Sequence, residues 1–341
     1  MAGASPRWTR RATLGMAAAL PVLRPFRAFA QAPAAHEAIV ERAAAIPRLH
    51  ALVVLQDGTP VLERRLRGPA LDRPVNIKSA SKSVLAALAG IAIGEGILSG
   101  TDQKVVSVLG DQVPDDADPM VEEITVGHLL SMQAGLGSTS GPAYGAWVTS
   151  KNWVRHALAR PFETRPGGHM VYSTGTSHLL SALLTEASGQ STLALARTWL
   201  GLPLDIRIPA WQRDPQGIYF GGNNMLLSPL ALARFGELYR QDGTIDGQRV
   251  LPAGWVATSW QERTTSVWTG DGYGYAWFIR EAHGRPVYYA WGYGGQMLFV
   301  VPDLALTVAM TSDPSPRPRG DRHTDDLHGL LDELVVLAVE A

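Results

Sequence analysis

Strand patterns stand at the two ends of this 341-residue chain, and helical patterns fill most of what lies between. Residues 50–55 (HALVVL) and 60–64 (PVLER) read as strands joined across Asp57-Gly58, a hairpin signal. Strand character returns only near Tyr273, where Tyr273, Tyr275 and Trp277 alternate with the smaller Gly274 and Ala276. Residues 286–291, 296–301 and 304–311 give three more strands, broken at His283-Gly284, at 292–295 and at Pro302-Asp303. Such short turns imply antiparallel pairing. The simplest closure joins the N- and C-terminal strands into one antiparallel sheet.

Helices are expected over residues 34–45, 79–94, 124–132, 147–159, 176–186, 229–241 and 325–339. The fold class is therefore α/β of the α+β type. The two terminal helices should cover one face of the sheet, and the helical middle should form a second lobe. Residues 31–341 then make one domain, with a sheet lobe over about 31–75 and 270–341 and a helical lobe over about 76–269. A cleft between the lobes is the natural place for a site.

The N-terminus reads as an export signal over residues 1–30. Thr9-Arg10-Arg11-Ala12-Thr13-Leu14-Gly15 is a twin-arginine pattern; an apolar stretch to Leu23 and the small-x-small site Ala28-Phe29-Ala30 follow. Removing it lowers the basic count from 30 to 25 against 31 acids, a formal charge of −6. That balance gives no footprint for nucleic acid. No second long apolar run follows, so the processed chain is expected to be periplasmic or secreted and free of the membrane. Cysteine is absent, which excludes thiol nucleophiles and thiolate metal sites. His323-Thr324-Asp325-Asp326-Leu327-His328 carries possible ligands, but it reads as a solvated surface segment, and no metal or cofactor is expected.

Three segments carry chemistry. Ser79-Ala80-Ser81-Lys82 stands where an extended piece meets an apolar helix, so a hydroxyl and an amine share one helical face. A lysine can be the base that serine needs if burial keeps it neutral. Tyr172 falls just before the helix that follows Pro166-Gly167-Gly168, and the helix dipole and a nearby ammonium would favour its phenolate, a base or relay beside Ser79. Ala290-Trp291-Gly292-Tyr293-Gly294-Gly295-Gln296 is a glycine-rich turn between strands, where a backbone can approach a ligand. Each segment alone also has a plain reading: a solvated lysine, an edge aromatic, an ordinary hairpin. Their order along one chain points to a site.

Ser-x-x-Lys, then Tyr-Ser-Thr, then a glycine-rich strand turn resembles the serine β-lactamase and penicillin-binding protein superfamily. The likeness is to the class C branch, with its esterases, DD-peptidases and amide hydrolases. Residues 76–83, 124–136, 219–225 and 231–236 are similar to further stretches of that family, so the resemblance covers about 37–340. It implies Ser79 as acylated nucleophile, Lys82 as the group that takes its proton, and Tyr172 as the residue that assists and protonates the leaving group. It implies an oxyanion hole from the backbone N–H groups of Ser79 and Tyr293. It places Thr174, Trp291, Gly292 and Gln133 along the substrate cleft.

Two departures shape the expected activity. The family's strand cation is replaced by Ala290, and its motif asparagine by Thr174. Both point away from efficient β-lactam cleavage. The leading expectation is an exported serine hydrolase that cleaves a small-molecule ester or amide through an acyl-enzyme. The alternatives are a cell-wall DD-peptidase or weak β-lactamase, and a non-catalytic penicillin- or peptidoglycan-sensing protein. The sequence leaves the oligomeric state open.

Overall fold

The computed structural model describes residues 33–315 and 322–340. The expected export signal lies outside them. The chain runs from α1 (Pro33–Ala45) through β1 (Leu49–Gln56), β2 (Thr59–Arg65) and the short β3 (Val75–Asn76). Helices α2 (Ser81–Gly94), α3 (Val106–Leu109), α4 (Val126–Leu130), α5 (Tyr144–Val148), α6 (Trp153–Leu158), α7 (Thr174–Ser188) and α8 (Thr192–Ala196) follow. Next come β4 (Leu226–Leu227), α9 (Pro229–Arg240), the hairpin β5 (Thr244–Ile245) and β6 (Gln248–Arg249), and α10 (Trp255–Trp260). The chain then passes through β7 (Thr264–Thr265), β8 (Gly272–Tyr273), β9 (Phe278–Ala282), β10 (Arg285–Gly292), β11 (Gln296–Val301), β12 (Leu306–Ser312) and α11 (His323–Glu340).

The two ends of the chain close into one eight-stranded antiparallel sheet, in the order β2-β1-β12-β11-β10-β9-β8-β7. The closing pair is β1 with β12, where Leu52 faces Met310 and Val54 faces Val308. Adjacent residues on a strand point to opposite faces. Leu52, Val54, Phe299 and Val308 thus share a core with Ile39 and Ala43 of α1 and Leu330 and Leu334 of α11. Val53, Leu298, Val300 and Ala309 share the other core with α2 and with Phe235 and Leu238 of α9. Both faces are covered, which is why these strands read as unbroken apolar runs.

Three local expectations need correction. The helix expected over 147–159 is two helices, α5 and α6. Asn152 ends the break: its side chain accepts from Arg155 N at 2.9 Å and caps α6. The strand expected across Tyr273–Trp277 stops at Tyr273. Tyr275 N donates to Ser259 O at 2.8 Å, Ala276 N donates to Leu130 O at 3.0 Å, and Ala276 takes φ +60°. The aromatic alternation there comes from packing into two cores, not from a ladder. Finally, the segment read as solvated at 323–328 opens α11. His323 is buried, and the His328 ring packs 5.1 Å from Tyr289 and 5.4 Å from Phe299. Burial pushes the His328 imidazole down to about 3.

Candidate active site

β3 pairs with β4, and this two-stranded contact brings the 222–225 loop beside the turn that precedes α2. Asn76 ties the two together, donating from Nδ2 to Asn224 Oδ1 at 2.9 Å while its Oδ1 accepts from Lys78 N at 2.9 Å. Lys78 is held at φ +52°, a left-handed conformation that side chains seldom adopt. A 3-10 turn, Lys78–Ala80, then leads into α2, so the α-helix begins after Ser79 rather than at it.

One helical turn separates Ser79 from Lys82. Lys82 Nζ donates to Ser79 Oγ at 3.1 Å and to Gly222 O at 2.7 Å. α2 is buried along nearly its whole length, and Lys82 is 3% exposed. Burial disfavours the ammonium and lowers the Lys82 pKa to about 7. A neutral amine is therefore available in ordinary conditions within hydrogen-bond reach of the serine hydroxyl.

Tyr172 completes the group. Its hydroxyl is hydrogen-bonded to Ser79, and Lys82 Nζ lies 4.9 Å from its ring centroid. Burial pushes the phenol up to about 12, outweighing the downward pull of the Ser79 hydrogen bond. The phenolate expected from the helix dipole is thus not the resting form: desolvation is the larger effect at this position. Tyr172 and Ser173 are fixed by the segment opposite, since Ser138 Oγ donates to Tyr172 O at 2.7 Å and Thr139 N donates to Ser173 Oγ at 3.1 Å. Thr174 N donates to Ser140 Oγ at 2.9 Å, and the two hydroxyls lie 3.0 Å apart.

The glycine-rich turn closes the third side. Gly295 N donates to Gly292 O at 3.1 Å, with Gly294 at φ +85° and Gly295 at φ +90°. A Cβ on Gly292 would stand 2.2 Å from Ile77 O and 3.1 Å from Lys78 Cβ, so β10 presses directly on the turn that carries Ser79. Ala290 is buried on the helical-lobe face of the same strand and brings no charge.

These three segments bound a cleft of about 870 Å³. Ser79, Tyr172, Thr174, Trp291 and Tyr293 all line it, and Lys82 lies just beneath. Gly292, buried against Ile77 and Lys78, and Gln133 do not: Gln133 Nε2 donates to Gly168 O at 2.7 Å and Gly167 O at 3.2 Å, which bridges two loops beside a different hollow. Sequence reasoning missed Lys78, Ser140, Tyr144, Asn223, Trp268 and Phe278 as cleft residues. Asn223 belongs to the Gly221-Gly222-Asn223-Asn224 run, whose glycines were a signal of close backbone approach. Trp268 sits on a loop with no periodicity to betray it, yet its ring packs 4.8 Å from Tyr172 and 6.4 Å from Trp291.

A buried pair also supports the site from below. Gly221 N donates to His178 Nδ1 at 3.2 Å, which leaves Nε2 as the donor to Asp214 Oδ2 at 3.0 Å. Asp214 Oδ1 accepts from the backbone of Gln216 and Ile218. The loop that presents Gly222 O to Lys82 is thereby anchored through His178 on α7.

The family model for β-lactamases matches residues 37–332 of the sequence. The chain belongs to the β-lactamase family. Members of this family with its fold are serine hydrolases. Solved structures with the same fold include a penicillin-binding protein homologue from Caulobacter crescentus, 17% identical, with a TM-score of 0.71 over 89% of this chain and 98% of that one. EstCE1, a hydrolase with promiscuous acyltransferase activity, is 18% identical, with a TM-score of 0.70 over 90% of this chain and 99% of that one. A D-stereospecific amidohydrolase from Streptomyces is 19% identical, with a TM-score of 0.65 over 81% of this chain and 93% of that one. At these identities the likeness concerns the fold.

Proposed function

We propose that this protein cleaves an ester or small amide through an acyl-enzyme on Ser79. The observation that carries the reading is the 3.1 Å bond from Lys82 Nζ to Ser79 Oγ, made by a lysine whose pKa is lowered to about 7. Ser79 Oγ attacks the substrate carbonyl carbon as its proton passes to Lys82 Nζ. The backbone N–H groups of Ser79 and Tyr293 receive the oxyanion. As the C–O or C–N bond breaks, the departing atom takes the Tyr172 phenolic proton. Water then attacks the acyl carbonyl, gives a proton to Tyr172, and Ser79 leaves with the proton held on Lys82. Both groups return to their starting forms.

The wall formed by Trp268, Trp291 and Tyr293 supports an acyl group with substantial apolar surface. The activities named for EstCE1 and the Streptomyces amidohydrolase agree with an ester or amide substrate. The twin-arginine segment supports export, with cleavage after Ala30. The test is turnover of short-chain p-nitrophenyl esters and small amides, with intact-mass detection of the acyl adduct. Ser79→Ala should lower kcat/KM by about 10³-fold or more and abolish the adduct. Turnover retained in that variant would refute the assignment.

A further inference from the structure

The chain has four lysines, and two of them, Lys78 and Lys82, bracket the nucleophile. Lys82 is buried and bonded. Lys78 is different: it is only half-buried, it lines the cleft, and its ammonium makes no hydrogen bond or ion pair among the described residues. None of the described residues that line the cleft is acidic. The cleft wall around it is aromatic and hydroxylic, so an ammonium there is partly stripped of water without a counter-charge. A charge in that state interacts with an incoming anion more strongly than a fully solvated lysine does.

The backbone shows that this placement is specific. Lys78 occupies φ +52°, which disfavours a side chain by roughly 1 kcal/mol relative to glycine. Its N–H is tied to Asn76 Oδ1, and its Cβ would meet any side chain at Gly292. The stem is therefore rooted between the turn that carries Ser79 and β10, on the wall of the cleft.

We infer that Lys78 is a specificity residue that binds a carboxylate on the substrate, so that the preferred ester or amide carries an anionic group near its scissile carbonyl. This rests on the acyl-transfer reading above and adds the substrate's charge to it. The ammonium donates to the carboxylate while the apolar remainder of the acyl chain lies against Trp268 and Trp291.

The test compares p-nitrophenyl butyrate with mono-p-nitrophenyl glutarate in wild type, Lys78→Gln and Lys78→Arg. The read-out is the ratio of the two kcat/KM values. A hydrogen-bonded ion pair should favour the glutarate ester by about tenfold in wild type. Lys78→Gln should erase that preference and Lys78→Arg should keep most of it. A wild-type ratio near one, or a preference that survives in Lys78→Gln, overturns the inference. A second measurement does not depend on turnover. Tryptophan fluorescence of Ser79→Ala, titrated with 4-phenylbutyrate and with 4-phenylbutanamide, should show tighter binding of the anion, lost when Lys78→Gln is added. Equal affinities for the two would overturn the inference. Failure to hydrolyse any ester, with the anion preference intact, would count against the acyl-transfer reading alone.

Discussion

Lys82 is 3% exposed, and its lowered pKa follows from that burial rather than from its spacing to Ser79. A surface lysine remains an ammonium through neutral pH and cannot accept a proton. With the pKa lowered to about 7, the base form is lost as pH falls below that value and gained as pH rises through it. The kcat/KM of the free enzyme should therefore show an acid limb near pH 7, falling about tenfold per unit below it. A limb near the ordinary lysine value of 10.5 would exclude Lys82 as the base. Tyr172 moves the other way, up to about 12, so it should contribute no alkaline limb below pH 11 or so. The Ser-x-x-Lys and Tyr-Ser-Thr spacings were readable from the sequence. The protonation states were not, because desolvation is set by side chains that arrive from distant segments.

α7 shows how one element serves two purposes. Thr174 at its start lines the cleft, while His178, one turn later, is fully buried and holds the Gly221 N–H. The helix itself was legible from its apolar pattern and from Gly189, which ends it at φ +66°. Its second purpose was not legible, since Asp214 and Gly221 lie 36 and 43 residues further along the chain. Replacing His178 by Leu would leave the Asp214 carboxylate without its imidazole donor and the Gly221 N–H without an acceptor. The expected loss is roughly 3 kcal/mol in urea unfolding, by analogy with other broken buried pairs. Because Gly222 O stabilises the Lys82 ammonium, a displaced loop should also move the acid limb to lower pH as kcat/KM falls. An unchanged limb in a folded His178→Leu protein would show that the loop keeps its position without the imidazole.

The sheet is covered on both faces, and α9 packs on one of them. A Cβ at Gly236 would stand 2.6 Å from Thr307 Cγ2 and 2.7 Å from Leu298 Cδ1, so only glycine lets the helix dock at that depth. Gly236→Val should cost about 3 kcal/mol through overpacking. Gly329→Ala on α11, where no neighbour among the described residues lies within 4 Å of the added Cβ, should instead stabilise by about 0.5–1 kcal/mol. Urea midpoints for the two variants check the contrast, and equal shifts would mean that α9 does not depend on this close approach. The sequence by itself determined that strands stand at both ends of a helical middle, that they pair antiparallel, and that three ordered motifs resemble one hydrolase family. Those features depend on local periodicity and fixed spacing, which a linear chain carries openly. Tertiary structure alone decided that Asn152 splits a helix, that Gln133 bridges loops away from the cleft, that Tyr172 rests as a phenol, and that Lys78 lines the cleft beside Ser79. Each of these depends on which distant groups supply or withhold water, partners and charge, and those neighbours exist only once the sheet has closed.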